Sequence, residues 1–129
     1  MKMTKYFLLV LIIAVLLAGC AGKEPAVQTV EAYLNAIVNQ DETAVTSLAC
    51  EEWSFDAMLE MDSFLAVSPQ LQDLSCSVTG TDGDYTLVAC TGSILATYND
   101  EQQTFDLSAR TYQVSQVAGE WLLCGYHQD

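Results

Sequence analysis

Basic residues are scarce in this sequence. Its 129 residues include 17 Asp and Glu but only 4 Lys and Arg, which gives a formal net charge of −13 at pH 7. Proteins bind nucleic acids and anionic lipid headgroups largely through positive charges that neutralise phosphate, and a surface this acidic repels both. We therefore exclude nucleic acid and anionic headgroups as binding partners.

The short motifs of common catalytic and metal sites are also missing. The chain has no Gly-rich phosphate loop, no Gly-x-Ser-x-Gly elbow, no His-Glu-x-x-His helix and no Cys-x-x-Cys pair. The segment Asp82-Gly83-Asp84 offers too few oxygen ligands for a calcium loop and is explained by a hairpin turn. The motifs therefore predict no catalytic residue, no metal site and no cofactor.

A hydrophobic run long enough to span a membrane is absent as well. The apolar run 6–18 has about 13 residues, whereas a spanning helix needs roughly 20. Lys2 and Lys5 precede this run and the small residue Gly19 follows it, an order typical of a cleaved export signal. We predict that the run is removed and is not retained as a membrane helix.

The residues Leu17-Ala18-Gly19-Cys20 resemble the lipobox of bacterial lipoproteins. In those proteins the cysteine thiol receives a diacylglycerol, the signal peptide is removed and the new amino group is acylated, and several acyl chains anchor a protein stably. The resemblance implies that residues 1–19 are a signal peptide, that Cys20 carries the lipid and that residues 20–25 form an acylated tether. It implies an exported protein anchored to the bacterial cell membrane. Ala21 resembles a signal for outer-membrane sorting in bacteria that have two membranes.

The predicted cleavage leaves 110 residues, which suits a single domain at residues 26–127. All 17 acidic residues remain, but only two basic ones do, Lys23 and Arg110, so the formal charge becomes −15. Such a charge favours solubility and holds the domain away from the membrane that its anchor enters.

The other four cysteines are Cys50, Cys76, Cys90 and Cys124. An exported compartment is oxidising and four is an even number, so we predict two disulfides. Their spacings of 26, 14 and 34 residues do not match the paired knuckles of a zinc site. A hairpin centred on Gly83 places Cys76 opposite Cys90 and leaves Cys50 for Cys124, although the other two connectivities stay open.

Three helices are predicted before Pro69. The first begins at Pro25, because apolar residues recur every three or four positions up to Val38. The second begins at a cap on Asp41 and runs to Cys50. The third begins near Ser54 and presents one apolar face, opposite two acidic residues; the apolar residues are Phe55, Met58, Leu59, Met61, Phe64 and Leu65, and the acidic ones are Glu60 and Asp62.

After Pro69 the apolar period changes to two, which is typical of strands. We predict a hairpin around Gly83, then a long strand over residues 104–117 with a bulge or bend near Arg110, and a last strand over residues 121–126. The expected fold class is therefore α+β, with N-terminal helices packed on a four-stranded antiparallel sheet.

The helix 30–37, the polar step 39–41 and the segment Gly119-Glu120-Trp121-Leu122-Leu123 resemble the nuclear transport factor 2-like superfamily, which has a cystatin-like α+β cone. The likeness extends over roughly residues 25–126 and points to a lipoprotein branch of unknown function. It implies a long helix packed into a curved sheet around a conical cavity. Members of the superfamily use that cavity for catalysis, small-molecule binding or dimer formation.

Five residues are candidates for a site in such a cavity. Arg110 could grip a carboxylate ligand with its planar guanidinium, or it could form an ion pair with a nearby acid such as Asp106. Tyr33 and Tyr112 are candidate ligand-binding residues, and otherwise they fill the core with their hydroxyls reaching a partner. Asp56 suits the first turn of its helix, and His127 lies where fraying is expected, so neither is predicted to be catalytic.

The expected function is that of a binding or interaction module in the cell envelope. It would bind a small molecule in the cavity or an envelope protein, or form a homodimer through the outer face of the sheet. The alternative is a small cavity enzyme with isomerase-like or dehydratase-like acid/base chemistry, which needs at least two ionisable groups that converge on one point.

Overall fold

The structure is a computed structural model that describes residues 23–129. The predicted signal peptide, the lipobox and the lipid-bearing Cys20 lie outside the described residues. Within residues 23–129, no helix combines the length and the apolar character needed to cross a membrane.

The first helix, α1, runs over Pro25–Val38, as the apolar periodicity predicted. Pro25 occupies the start of the helix, where its missing N–H costs nothing. The apolar stripe is buried, and Val30, Tyr33 and Leu34 have no solvent exposure at all. This stripe packs on the sheet and makes α1 the centre of the core.

Two further helices follow, α2 over Glu42–Leu48 and α3 over Ser54–Asp62, with a 3-10 helix at Glu51–Trp53 between them. The predicted cap is confirmed, because the side chain of Asp41 accepts a hydrogen bond of 3.1 Å from the Ala44 N–H.

The apolar face predicted for the third helix is confirmed at Met61 and Phe64, which are both buried, but not over its whole length. Phe55 and Leu59 are 72% and 52% exposed, whereas Ala57 and Met61 are buried. The stripe that faces the core contains Ala57 in place of Phe55 and Leu59, and Glu60 lies inward with a side-chain exposure of 9%. The small side chain of Ala57 lets α3 approach its neighbours closely, which a search for large apolar residues does not detect.

The sheet is antiparallel and has five strands, so the expected number of four is wrong. The strands are β1 Gln70–Asp82, β2 Tyr85–Tyr98, β3 Glu101–Asp106, β4 Arg110–Val117 and β5 Glu120–Gln128. Their order is β1-β2-β4-β5, and β3 pairs with β2. The α+β fold class is confirmed, with helices first in the chain and the antiparallel sheet after them.

The extra strand comes from a break in the predicted long strand. Both β3 and β4 pair with β2, β3 along residues 93–98 and β4 along residues 86–89. A 3-10 helix at Leu107–Ala109 interrupts them, started by an Asp106 side chain that accepts from the Ser108 N–H at 2.9 Å. Leu107 is buried there, so the chain leaves the strand geometry to place one more apolar side chain in the core.

The fold brings the four cysteines of the domain together in two pairs. Cys76 and Cys90 face each other across β1 and β2 with their Cα atoms 4.0 Å apart. Cys50 and Cys124 have Cα atoms 4.8 Å apart, and the backbone N–H of Cys50 donates to the Leu123 carbonyl at 2.8 Å. Both pairs are at disulfide distance, and the second joins the segment after α2 to the last strand.

Candidate functional site

A pocket of about 480 Å³ opens between α3 and the sheet. Helix α3 and the segment after it form one wall, and strands β2 to β5 with the 3-10 residue Trp53 form the rest. We call it the Arg110 pocket; its lining residues are Trp53, Asp56, Leu59, Glu60, Ser63, Phe64, Val67, Ala96, Gln103, Phe105, Arg110 and Tyr126. Its volume lies within the range of small-molecule sites.

Glu60 holds together the charged centre of this pocket. Its Oε1 accepts a hydrogen bond from Arg110 Nη1 at 2.5 Å, and its Oε2 accepts one from the Tyr33 hydroxyl at 2.7 Å. The Arg110 and Glu60 side chains are only 16% and 9% exposed. Three elements that are distant in sequence, α1, α3 and β4, are therefore joined through one carboxylate.

The environment of Arg110 favours its charged form. Burial by itself disfavours a charged guanidinium and lowers the pKa of Arg110, but the charge and hydrogen bond of Glu60 together with the neighbouring Tyr112 outweigh burial, so this pKa lies above its ordinary value. The guanidinium carbon also lies 4.2 Å from the centroid of the Tyr126 ring, a cation–π contact. Arg110 is thus held on one side by a carboxylate and on another by an aromatic face.

The two candidate tyrosines lie behind the pocket, in the core. Neither has any solvent exposure. Burial, and then the charge of Glu60, raises the pKa of Tyr33 above its ordinary range. Burial also raises the pKa of Tyr112 to about 12, although the charge of Arg110 counteracts part of this shift. The Tyr112 hydroxyl makes no hydrogen bond to the residues described, and the indole N–H of Trp53 is likewise buried without a partner.

Two pairs of aromatic side chains contribute to the pocket wall. Trp53 meets Tyr126 edge to face with ring centroids 5.5 Å apart, and Phe64 meets Phe105 in the same way at 5.5 Å. Edge-to-face contacts of this kind hold the rings in defined orientations. Phe105 stays 41% exposed at the mouth, so part of the wall is open to an incoming ligand.

The site residues predicted from the sequence lie in different places relative to the pocket. Arg110 and Asp56 line the pocket, whereas Tyr33 and Tyr112 support it from the core. His127 does not line it; its Nε2 lies 3.9 Å from Asp129 on the exposed end of β5. Arg110 does form an ion pair, but Asp106 is not its partner because that carboxylate binds the Ser108 backbone and hydroxyl.

Glu60 is the functional residue that sequence reasoning missed. It was assigned to the solvated side of α3, together with Asp62. The sequence did contain one signal, which is the scarcity of cations in the domain. Because Arg110 is one of only two, its charge stands out, and a buried charge needs a partner of opposite sign from elsewhere in the chain. Nothing local to residues 54–62 identifies which of the three acidic residues that partner is.

One group of potential metal ligands occurs within residues 23–129. The Sγ atoms of Cys50 and Cys124 and a carboxylate oxygen of Glu52 lie within 4.8 Å of one another. Both sulfurs belong to a pair at disulfide distance, and a disulfide sulfur is not the thiolate that a metal requires. This group therefore does not support a metal site while the pair is oxidised.

Comparisons with known proteins assign no family. No protein-family model matches the chain, and no curated protein matches it. One similar solved structure is the solution structure of a SEC-C motif containing protein from Rhodopseudomonas palustris, with 12% sequence identity, a TM-score of 0.49, and coverage of 74% of this chain and 72% of that one. At this identity and this TM-score, the similarity assigns neither a family nor a function.

Proposed function

We propose that the chain is an exported, lipid-anchored envelope lipoprotein whose domain binds a small molecule in the Arg110 pocket. The observation that carries the binding proposal is the pocket itself. It combines about 480 Å³ of space with two aromatic pairs and a charged centre. Ligand sites are typically concave, mostly apolar and furnished with a few fixed polar groups.

The anchored location is supported by the N-terminal sequence. The lipobox-like residues 17–20 follow a basic start and a short apolar run. The two cysteine pairs at disulfide distance agree with an oxidising compartment, where such bonds persist. We propose Cys20 as the lipid-bearing residue and both pairs as disulfides in the mature protein.

We also propose that the domain is a nuclear transport factor 2-like, cystatin-like cone. In support, α1 packs across β1, β2, β4 and β5. Register shifts interrupt the ladders between Gln72 and Ser75, between Val78 and Gly80, and between Gln113 and Val114. Such bulges bend strands and help a sheet to wrap around a helix.

The enzyme alternative has weaker support from the same pocket. Acid/base chemistry needs a carboxyl group that is free to exchange a proton with a substrate. Both oxygens of Glu60 already accept hydrogen bonds from protein donors. Asp56 is the other carboxylate of the pocket; it is exposed, and within residues 23–129 no ion pair or side-chain hydrogen bond holds a second ionisable group against it.

Native mass spectrometry of the mature lipoprotein, extracted from its own envelope in mild detergent, tests the proposal. We expect a small molecule that is lost on denaturation, acyl chains on Cys20, and a mass increase of about four hydrogens on full reduction of two disulfides. A bare polypeptide without acyl chains would contradict the anchor. Extraction as a dimer would instead favour self-association through the outer face of the sheet.

A pocket-filling variant links the ligand to this site. Gln103 lines the pocket from β3, and its neighbour Gln102 is also exposed but points to the other face of the sheet. Gln103→Trp should displace the copurified molecule, whereas Gln102→Trp should retain it. If both variants retain it, the molecule binds elsewhere and the Arg110 pocket is not the binding site.

A further inference from the structure

The charges that line the Arg110 pocket do not balance. Arg110 and Glu60 neutralise each other across 2.5 Å. Asp56 is a further carboxylate of the lining, and within residues 23–129 it makes no ion pair and no side-chain hydrogen bond. The pocket therefore carries one uncompensated negative charge at pH 7.

The rest of the domain is also negatively charged. Its two basic side chains are both paired, Lys23 with Glu31 and Arg110 with Glu60. The 17 acidic residues all lie after Gly19 in the sequence, so most of them have no basic partner. A surface with this excess raises the local concentration of cations and lowers that of anions.

A carboxylate ligand would meet two obstacles in this pocket. It would have to enter against the negative potential, and it would have to compete with Glu60 for Arg110. Removing one partner from an ion pair that is largely buried is costly, because the other charge is left without compensation. The ion pair thus makes Arg110 a poor anion site, which agrees with the second of the two alternatives that the sequence left open for this residue.

The aromatic walls favour the opposite charge. The face of an aromatic ring carries negative electrostatic potential, and it attracts ammonium and guanidinium groups that lie within about 6 Å of the centroid. The structure already contains one such contact, between Arg110 and Tyr126 at 4.2 Å. Trp53 and Phe105 are further aromatic residues of the pocket lining.

We infer that the Arg110 pocket binds a small organic cation, an amine or quaternary ammonium that carries an apolar or aromatic group, with Asp56 as its charge partner and Trp53 and Phe105 as its walls. This inference rests on the proposed ligand-binding function. In this arrangement Arg110 and Glu60 act as a fixed, neutral floor and do not contact the charge of the ligand.

Isothermal titration of the mature lipoprotein in non-ionic detergent tests the inference with three probes of similar size. They are benzyltrimethylammonium, neutral benzyl alcohol and anionic phenylacetate, each compared with a titration into detergent alone. We expect the cation to bind at least about fivefold more tightly than either other probe, since one charge pair at 4 Å in water corresponds to that factor. The advantage should shrink as salt is raised.

A matched pair of variants locates the charge. Asp56→Asn should weaken benzyltrimethylammonium binding about fivefold and leave benzyl alcohol binding unchanged. Asp62→Asn is the control, because Asp62 is an exposed acid of the same helix that does not line the pocket. Both substitutions are at exposed positions, so neither should impair folding.

The possible outcomes distinguish a failure of the cation inference from a failure of the proposed ligand-binding function. If the neutral or anionic probe binds as tightly as the cation, or if Asp56→Asn has no larger effect than Asp62→Asn, the cation inference is overturned and the binding function stands. If none of the three probes binds and native extraction yields no small molecule, both fail.

Discussion

Removing the negative charge of Glu60 should destabilise the domain strongly. Glu60→Gln keeps the shape of the side chain and an oxygen that accepts from Tyr33, but it removes the negative charge that compensates Arg110. The Arg110 side chain is only 16% exposed, so solvent replaces little of the lost interaction. The substitution therefore tests whether the Arg110–Glu60 pair holds α3 against the sheet.

The expected cost follows from burial. Breaking a fully buried ion pair by removal of one partner costs about 3 to 5 kcal/mol. Because these side chains keep 16% and 9% exposure, we expect a value near the lower end, about 3 kcal/mol. For a domain of about 100 residues, this corresponds to a loss of roughly 12 °C or more in Tm.

An exposed ion pair in the same chain provides the control. Lys23 and Glu31 also lie 2.5 Å apart, but their side chains are 62% and 16% exposed. Glu31→Gln should cost less than about 1 kcal/mol, as is typical of surface pairs. Equilibrium unfolding in urea, monitored by tryptophan fluorescence, gives both free energies of unfolding on the same protein.

Two results would refute this reasoning. The first is a cost of Glu60→Gln no larger than that of Glu31→Gln. The second concerns the double variant Glu60→Met with Arg110→Met, which leaves no unpaired charge and should be more stable than Glu60→Gln alone. If the double variant is less stable than Glu60→Gln, removing both charges does not restore stability. The cost of burying an unpaired charge would then not explain the loss of stability in Glu60→Gln.

The pKa of Tyr112 is raised to about 12 from 10.0, so the folded state keeps this proton when the unfolded chain has lost it. The contribution of Tyr112 to stability should be constant below pH 10 and fall by about 1.4 kcal/mol per pH unit between pH 10 and 12. Urea unfolding of Tyr112→Phe should therefore show a decline over this range that is shallower by that amount, and an equal decline in both proteins would contradict the raised pKa. Replacing Cys50 and Cys124 by Ser opens a loop with a sequence separation of 74. The free energy of unfolding in urea should fall by about 4 kcal/mol, and an unchanged value would mean that this pair is not oxidised. Cys20→Ser should abolish incorporation of labelled palmitate and release the protein from the membrane, and continued labelling would contradict the lipobox prediction.

Local sequence patterns were sufficient for the first helix and for the order of elements. The stripe from Val27 to Val38 is continuous and helical in period, and Pro25 marks its beginning. The change of period after Pro69 marks the beginning of the sheet. These features depend on residues only a few positions apart, so the local sequence determines them without tertiary contacts.

The strand count was wrong because it depended on a neighbour distant in sequence. Residues 104–117 have strand character throughout, and the predicted irregularity near Arg110 lies next to the actual break. Whether that irregularity is a bulge or a true interruption depends on β2, which pairs with β3 on one side of the break and with β4 on the other. The burial of Leu107 between them is a tertiary contact.

The sequence by itself determined the charge, the lipobox-like N-terminus and the candidate Arg110, since each is a property of residue types or of short segments. Only the tertiary structure decided that Glu60, and no other acid, faces Arg110, and that Asp56 is left as the unpaired charge of the pocket. The physical reason is that ion pairing is short-ranged and acts through space. Arg110 and Glu60 lie 50 residues apart in sequence, and only the packing of α3 against the sheet brings them together.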